Sequence, residues 1–432
     1  MSKYIVVGID YGTRFTKVLF RDNNQVEGKA YVVTNPTFPD GLFPSLLSLN
    51  GESIAPFQQK GEVIAYLKML AAFAVTKYED QPFMALEHKD IKIPVGLNKL
   101  RGTYHDLDLV GLCLSYYLGC LVAEAHRCIK EKLRPETGDL VLYQLAIPTA
   151  LTGRNREVEK FFWICLVIGK ILFKKHGTRI LQEISLSEIY DTVENDVASK
   201  FEEIKDEYQH RCVTYPETAA AVAGFFNSKT SWDGIFITAD VGAGTVDLNI
   251  FRKNRPIAHN PDPTLAYYST QVSPLGAQRL EDEFNFVTPM DADTLRDELY
   301  AEIRSLFVRA LTRQPNHKAQ RGHRTYDEST IFLFGGGKRH AVYKETLLQG
   351  LDGSIDKNAH HGGVFEPNVL ELPDYPEIEK PLSSVSAGRY AVAFGLTTNP
   401  INLHKIILPD ELDEIPRRPP DDDRRYGFDW SD

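Results

Sequence analysis

Two short segments of the chain place aspartate, glycine and threonine directly after an apolar strand. The first is Asp10-Tyr-Gly-Thr13 and the second is Asp240-Val-Gly-Ala-Gly-Thr-Val-Asp247. Glycine lets backbone N–H groups approach an anion closely, and a threonine hydroxyl adds a further donor. A tight hairpin turn of any β protein can have this composition, so one such loop is weak evidence. The repetition of the arrangement favours a phosphate-binding site.

The aspartate that opens each segment suits a metal site. Mg²⁺ gives up its hydration water reluctantly, so carboxylates commonly hold it through bound water molecules. Phosphoryl transfer also requires several N–H donors around the phosphates. We therefore expect Asp10 and Asp240 to hold Mg²⁺ through water, beside the phosphates of a nucleotide.

A third segment, Ile331-Phe-Leu-Phe-Gly-Gly-Gly-Lys-Arg339, is an apolar strand that ends in three glycines and two cations. Glycine at this point would let a flat adenosine lie against the backbone. The alternative interpretation is a flexible turn between a strand and a helix.

Length and composition limit the class of protein. The chain has 432 residues, of which 43% are hydrophobic and 25% charged, as in globular proteins, and this length suits two large lobes. Its formal net charge of −10 argues against general nucleic-acid binding, which needs a basic surface. The five cysteines form no CxxC pair and lie in apolar stretches, so we expect buried, reduced thiols.

Targeting signals are not apparent in the sequence. The N-terminal residues run directly into a strand without the charged and apolar regions of a signal peptide, which predicts a cytoplasmic protein. The most apolar stretch, 161–173, is shorter than the roughly 20 residues of a membrane span and contains Lys170. We therefore expect a buried helix there and no membrane span.

Hydrophobic periodicity predicts an α/β protein. A strand, a turn and a second strand surround each aspartate segment, which indicates a diverged internal duplication. The Pro- and Asp-rich segment 408–432 predicts a disordered tail, and its aromatic part, 426–430, is a candidate docking peptide. The predicted elements are, in chain order, strands over 4–9, 17–20, 30–33 and 46–49, helices over 62–75 and 107–132, a strand over 140–147, helical structure over 154–210, and strands over 234–238 and 246–251.

The order of these motifs resembles the nucleotide-binding domain of the seventy-kilodalton heat-shock chaperones, in the superfamily that includes actin and hexokinase. The likeness covers roughly residues 4–398. The segments that carry it are, in sequence order, Asp10-Tyr-Gly-Thr13 as the first phosphate loop, Phe43-Pro-Ser45, Ile147-Pro148 with Arg156, Pro216-Glu-Thr-Ala-Ala-Ala221 as the first connecting helix, Asp240 to Asp247 as the second phosphate loop, Leu275-Gly276, Gly335-Gly-Gly337 as the adenosine loop, and Ala391-Val-Ala-Phe-Gly395 as the second connecting helix.

The resemblance implies a two-lobed actin-like ATPase fold, built from duplicated ribonuclease H-like domains with the nucleotide cleft between the lobes. Lobe I would span residues 1–215 and lobe II residues 216–400, with the helix from residue 385 packing back on lobe I. Residues 401–432 would form a C-terminal extension and an acidic tail.

The resemblance also implies roles for individual residues. Asp10 and Asp240 would hold the hydrated Mg²⁺ of ATP or ADP, Asp247 would position the attacking water, and Glu217 would orient that water or the metal. The other nucleotide-binding residues would be Gly12, Thr13, Arg14, Lys17, Gly242, Ala243, Gly244, Thr245, Gly276, Gly335, Gly336, Gly337 and Arg339.

Two lysines compete for the γ-phosphate. Lys68 falls where the chaperones keep a lysine aimed at that group, although a lysine on an amphipathic helix usually faces solvent. Lys17 matches the phosphate-contacting lysine that actin and its bacterial filament relatives carry seven residues after the first aspartate. Both can serve, because charge stabilisation of a transferring phosphoryl group needs at least one cation.

The sequence departs from the chaperone pattern at several positions. Pro216-Glu217 reverses the usual order and resembles plasmid-segregating actin-like filaments. Arg14 replaces a second threonine, and Ala243 replaces a glycine, which is tolerable only without a positive φ. We therefore expect ATP binding with slow hydrolysis. The residues after 398 predict no β-sandwich peptide-binding domain, so we expect the partner to be a separate protein.

Three functions follow from the resemblance. The leading hypothesis is an Mg·ATP-driven conformational switch that acts on a separate partner protein. The second is an actin-like protein that self-associates into nucleotide-dependent filaments. The third is a small-molecule kinase, which the absence of a recognisable sugar-binding segment disfavours.

Overall fold

Two mixed sheets with the same strand order form the framework of the structure, which is a computed structural model. A third, smaller sheet lies beside the first. The structure describes residues 2–25, 28–58, 61–77, 100, 103–104, 106–149, 157–227, 233–254, 264–281, 289–311, 313, 330–354, 368–370, 375–379, 387–400 and 403–412.

Seventeen strands are described. They are β1 (Tyr4–Tyr11), β2 (Phe15–Asp22), β3 (Ala30–Val32), β4 (Phe43–Pro44), β5 (Leu46–Asn50), β6 (Ser53–Pro56), β7 (Glu62–Ala65), β8 (Leu140–Ile147), β9 (Ile184–Ser185), β10 (Cys212–Pro216), β11 (Gly234–Val241), β12 (Val246–Asn254), β13 (Thr264–Ser273), β14 (Thr330–Phe334), β15 (Asn368–Leu370), β16 (Ile378–Glu379) and β17 (Lys405–Ile407).

The two large sheets match strand for strand. The first has the order β10-β8-β1-β2-β3-β16, with β4 also paired to β2, and the second has the order β15-β14-β11-β12-β13-β17. In each sheet the central strand pairs antiparallel with the strand that follows it and parallel with a strand far along the chain. The α/β class expected from the sequence is therefore confirmed, and the strand arrangement occurs twice.

The α-helices cover these sheets. The long helices α2 and α3 pack together over the first sheet, where a Cβ on Gly119 would lie 2.8 Å from the carbonyl oxygen of Gly169. The described helices are α1 (Leu67–Lys77), α2 (Asp106–Leu133), α3 (Glu157–His176), α4 (Leu186–Thr192), α5 (Phe201–Tyr208), α6 (Glu217–Phe226), α7 (Gln278–Glu281), α8 (Ala292–Leu311), α9 (Ala341–Ser354) and α10 (Ala391–Gly395).

Helix α2 is the one helix in the described ranges that is long and apolar enough to cross a membrane. Its most apolar window is 83% buried inside the protein, as in the core helix of a globular fold. The stretch 161–173, which the sequence singled out instead, lies within α3 and has buried Phe162, Leu166 and Leu172. All five cysteines are free and buried, as expected.

Three sequence predictions of local structure were wrong. The helix expected over 62–75 begins only at Leu67, because Glu62–Ala65 form β7 and pair antiparallel with β5. Within the stretch expected to be helical, β9 intervenes at Ile184–Ser185 and pairs with β6. Residues 408–412 are not a disordered tail, because Leu408 is buried and a short 3₁₀ helix follows at Pro409–Glu411.

Several predictions fall outside the described residues. They are Arg156 and the C-terminal segment 413–432 with its candidate docking peptide. The extension that precedes this segment adds β17 to the edge of the second sheet, parallel to β13.

Helices α10 and α6 cross between the two large sheets. Helix α10 packs against β1 and β2 of the first sheet and against α6. Phe226 of α6 packs against Phe236, Phe251 and Phe332 of the second sheet. The approach to α6 is so close that a Cβ on Gly395 would lie 1.9 Å from the carbonyl oxygen of Ala220. Only glycine at position 395 lets α10 and α6 cross at this distance, because any side chain would strike the backbone of α6.

We predict that Gly395→Ala lowers the free energy of unfolding by about 2–4 kcal/mol, because the new methyl group must push α10 and α6 apart. Urea unfolding measures the change. Gly111→Ala is the matched control, since its methyl group would meet Phe161 at an ordinary 3.6 Å. In α2 this control should be neutral or stabilise by about 0.5–1 kcal/mol. Equal effects of the two variants would contradict the proposed close crossing.

Candidate functional site

A single cleft brings together nearly all of the predicted site residues. Its volume is about 980 Å³ including the solvent-filled mouth. Every predicted site residue lines it except Gly244 and Gly276, which lie behind its wall. The cleft is formed by the two hairpin turns, the glycine segment after β14, and the first residues of α1 and α6.

The two hairpins are equivalent in backbone register. In the first, β1 and β2 pair Asp10 with Lys17; in the second, β11 and β12 pair Asp240 with Asp247. Each turn therefore has four residues, and the two aspartates occupy the same place. Opposite them the hairpins differ, because Lys17 Nζ lies 2.7 Å from Asp10 Oδ2 whereas Asp240 faces another carboxylate.

The two turns touch each other at the floor of the cleft. A Cβ on Gly244 would lie 2.7 Å from the Thr13 methyl group and 2.5 Å from Met69 Sδ, so the second turn fits only with glycine there. Behind it, the backbone N–H of Gly276 donates to the carbonyl oxygen of Gly244 at 3.2 Å. Gly276 thus supports the turn from behind, and Gly244 lets the turn pack against Thr13 and Met69. Ala243 is not among the described residues with positive φ, so the condition for its tolerance is met.

The glycine segment after β14 lies directly beside Asp240. Strand β14 pairs parallel with β11 and places Phe334 next to Asp240. Gly335 has a φ of 87°, and a Cβ on it would lie 2.3 Å from Asp240 Oδ1. The segment does turn from β14 into α9, as the alternative interpretation expected, and Gly335 also meets a specific steric need there because a side chain would strike the Asp240 carboxylate.

Lys68 and Glu217 form a buried ion pair at the base of the cleft. Lys68 is the second residue of α1 and Glu217 the first residue of α6, and their side chains meet at 2.6 Å. Lys68 is only 5% exposed, so the alternative of a solvated helix face is wrong. Burial favours its neutral form, but Glu217, Asp247 and Asp10 outweigh that effect and raise its pKa.

Four buried carboxylates and two lysines share the cleft. Burial, followed by the charges of Glu217 and Asp10, raises the pKa of Asp240 to about 8. Burial and Glu217 likewise raise the pKa of Asp247 well above its ordinary value, although Lys68 opposes the shift. The two lysines therefore do not balance the carboxylates.

This charge imbalance is the observation that fits a divalent cation. Asp247 Oδ1 is buried and has no hydrogen-bond partner within the described part of the chain. A buried unpaired carboxylate is costly unless it is protonated or meets a cation. Among the described residues no group of three or more His, Cys, Asp or Glu side chains is arranged to ligate a metal directly.

Arginines lie at the mouth of the cleft. The Arg14 guanidinium carbon lies 5.2 Å from the ring centre of Phe15, the next residue in the turn. Arg339 is mostly exposed and binds both carboxylate oxygens of Glu281 at 2.6 and 2.7 Å. Arg339 is thus a residue of the rim whose orientation is fixed by Glu281.

Several lining residues were missed by the sequence interpretation. Phe15 and Phe334 directly adjoin predicted motifs, so adjacency was an available signal. Gln278 and Glu281 belong to the short helix α7, which the Leu275-Gly276 motif precedes. Ala277 follows the same motif, and Val392 lies in the motif of the second connecting helix. Gly388 and Arg389 come from a segment that only the fold places here. Of the smaller motifs, Ser45 supports the first hairpin through a 2.8 Å hydrogen bond to Thr16.

No protein-family model matches the chain, and no curated protein matches it.

We predict that Asp240→Asn stabilises the free protein at pH 8 by on the order of 1–3 kcal/mol, because it removes a buried, repelled charge. With a folded pKa of about 8 against the ordinary 3.8, folded Asp240 holds a proton that the unfolded chain has lost between those values. Wild-type stability therefore falls with rising pH in this window, and the advantage of the variant should grow from pH 5 to pH 8.

Urea unfolding at pH 5, 6, 7 and 8 measures this trend. Asp206→Asn, an exposed position on α5, is the control and should show no such growth. A stability difference for Asp240→Asn that is independent of pH would refute the charge argument.

Proposed function

We propose that the protein binds Mg·ATP and acts as a nucleotide-driven conformational switch on a separate partner protein, with slow hydrolysis of ATP. The observation that carries this proposal is the pair of equivalent hairpins, which present Asp10 and Asp240 to one cleft beside the Gly335-Gly336-Gly337 segment. Separately, each of these turns has an ordinary explanation. Together they form a site with glycine-rich backbone, carboxylates and cations, which is what Mg·ATP requires.

The proposed fold is the two-lobed actin-like ATPase fold, as in the nucleotide-binding domain of the seventy-kilodalton heat-shock chaperones. The repeated strand order of the two large sheets supports a duplication of ribonuclease H-like domains. The position of the cleft, with one hairpin from each sheet, supports a nucleotide site between the lobes. Helices α6 and α10, which cross where the sheets join, would be the connection between them.

In this proposal different residues of the cleft bind the metal ion, the phosphates and the adenosine of the nucleotide. Asp10 and Asp240 hold the hydrated Mg²⁺, and the backbone N–H groups of both turns, with the Thr13 and Thr245 hydroxyls, receive the phosphates. Arg14 adds a charge at the same turn. The segment Gly335–Gly337 receives the adenosine, because its lack of side chains leaves a flat surface.

Hydrolysis would depend on the buried ion pair. The bound nucleotide supplies a γ-phosphoryl group made more electrophilic by its metal ion. Lys68 provides positive charge at the base of the cleft, and Glu217 fixes its position with a 2.6 Å contact. Asp247 orients a water molecule with the carboxylate oxygen that has no partner within the described chain.

The switch follows from the placement of the ligand. A nucleotide in the cleft contacts hairpins that belong to different sheets, so it binds the closed arrangement better than an open one. A partner protein that binds only one of the two arrangements would therefore bind more tightly or more weakly when the nucleotide is present.

We predict that calorimetry detects binding of ADP and a non-hydrolysable ATP analogue in the presence of Mg²⁺. Asp240→Ala should weaken this binding at least tenfold while leaving the protein folded, and Glu217→Ala should slow ATP hydrolysis at least tenfold with a smaller effect on binding. Phosphate release measures the hydrolysis. Because free Asp240 is protonated below pH 8, binding of Mg·ADP should strengthen as the pH rises from 6 to 8.

The experiments distinguish a failure of nucleotide binding from a wrong assignment of the site residues. Absence of binding to wild-type protein would end the proposal, and equal hydrolysis by wild type and both variants would remove the assignment of the site. Lys17→Met and Lys68→Met, compared in the same assay, identify the lysine that serves the γ-phosphate.

One observation favours the second candidate, an actin-like filament former. Lys17 lines the cleft and contacts Asp10 at 2.7 Å, in the position that the resemblance to filament-forming proteins implies. A filament would require a head-to-tail interface that repeats without closing.

For this candidate we expect the protein to pellet at high speed with Mg·ATP and to stay in the supernatant with Mg·ADP. Asp240→Ala is the control, because a variant that cannot bind nucleotide should not pellet with either. An unchanged supernatant in both nucleotides would leave the switch as the remaining candidate.

A further inference from the structure

A second cavity lies on the other side of the first hairpin turn. We call it the rear cavity; it is bounded by Leu46 of β5, Val63 and Ala65 of β7, Arg14 and Phe15 of the turn, and Gln278 of α7. Its volume is about 610 Å³ including its open mouth. It shares the turn with the nucleotide cleft but has its own walls.

The walls of the rear cavity differ in polarity from one side to the other. Phe15, Leu46, Val63 and Ala65 form an apolar wall, with Pro44 beside them. The polar lining residues are Thr13, Arg14 and Ser45, together with a pair in which the Tyr66 hydroxyl hydrogen-bonds to the Gln278 side chain. A molecule that suits this lining is largely apolar and carries a group that is negatively charged or accepts hydrogen bonds.

Tyr66 adds an independent sign that this wall is specialised. Its φ is 61°, a left-handed conformation that bulky residues rarely adopt and that costs on the order of 1–3 kcal/mol. The conformation turns the chain from β7 into α1 and keeps the Tyr66 ring, which is nearly fully buried, on the cavity wall. Strain of this kind persists where the surrounding structure requires it, and it clusters at binding sites.

The rear cavity is not placed to receive a phosphoryl group. The four buried carboxylates line the nucleotide cleft, and none of Asp10, Glu217, Asp240 and Asp247 lines the rear cavity. A phosphoryl acceptor there would have no carboxylate to take its proton. The chemistry of the walls therefore favours a bound effector over a second substrate.

We propose that the rear cavity binds a small amphipathic carboxylate, with an apolar chain or ring of roughly six to ten carbons against the apolar wall and its carboxylate at Arg14. Arginine suits this group because its planar fork of N–H donors matches a carboxylate, and it has donors enough to keep existing partners. The Gln278 amide and the Tyr66 hydroxyl complete the polar side.

A ligand in the rear cavity would contact the first hairpin turn directly and the second through Gln278. Thr13, Arg14 and Phe15 line the rear cavity and the nucleotide cleft alike. Gln278 donates its backbone N–H to the carbonyl oxygen of Ala243 in the second turn at 2.9 Å. The inference goes beyond the proposed function and does not depend on it, because the walls of the rear cavity are defined without a nucleotide.

The test uses octanoate and 4-phenylbutyrate as probes, titrated by calorimetry into the full chain without nucleotide. Octylamine, which has the same chain with the opposite charge, and the neutral octanamide are the comparison ligands. We expect both carboxylates to bind at least tenfold more tightly than octylamine. Failure of both carboxylates to bind, or equal binding of octylamine, would overturn the proposal.

Two variants locate the site. Val63→Phe fills the rear cavity and should reduce octanoate affinity at least tenfold, whereas Val308→Phe, at an exposed valine of α8, should leave it unchanged. Arg14→Gln should weaken octanoate at least tenfold but octanamide less than twofold. Unchanged octanoate binding to both Val63→Phe and Arg14→Gln would show that the probe binds elsewhere.

The result is distinct from that of the nucleotide experiment. Octanoate binding that is lost in Val63→Phe supports the rear cavity even if the protein binds no ATP. Octanoate that binds wild type and all variants alike overturns the inference and leaves the nucleotide proposal intact.

Discussion

The excess of negative charge at the base of the cleft is the constraint on which the rest of the structure depends. Four carboxylates are buried there with two lysines, in surroundings where an unbalanced charge is expensive. The chain reduces the cost by pairing Lys17 with Asp10 and Lys68 with Glu217, and by raising the pKa values of Asp240 and Asp247. Folding brings these groups together at a cost that a bound cation would remove, which is typical of a site shaped by binding instead of stability.

Local signals in the sequence predicted much of the fold. Helix α2 and the strands β1, β8 and β11 have long, regular patterns of apolar residues, and the structure contains them with small changes at their ends. Strand β7 was mistaken for helix because its pairing with β5 is not encoded in its own four residues. The same holds for β9, a two-residue strand that exists only because β6 lies beside it.

The site residues that belong to short sequence motifs could be predicted. Those that reach the cleft only through tertiary packing could not. Asp10 and Asp240 lie near the ends of apolar strands and the Gly335 segment follows a third, so the sequence marked these motifs, although it did not show that both carboxylates are buried. Arg389 reaches the cleft because α10 packs against the first sheet, and Gln278 does so because α7 supports the second turn. The burial of Lys68 was equally a property of packing, since its own helix gave no sign of a partner on α6.

The two hairpins differ in charge, so the two sides of the cleft are not equivalent. Lys17 neutralises Asp10 on the first sheet, whereas Asp240 and Asp247 oppose each other on the second, so the uncompensated charge belongs to the second hairpin. On the proposed function, a divalent cation would be attracted chiefly by the second hairpin, and phosphate groups chiefly by Lys17 of the first hairpin and Lys68 of α1. On the same proposal, neither the metal nor the phosphate alone would satisfy both sides. Only the complete metal–nucleotide ligand would favour closure and so supply the differential affinity that a switch requires.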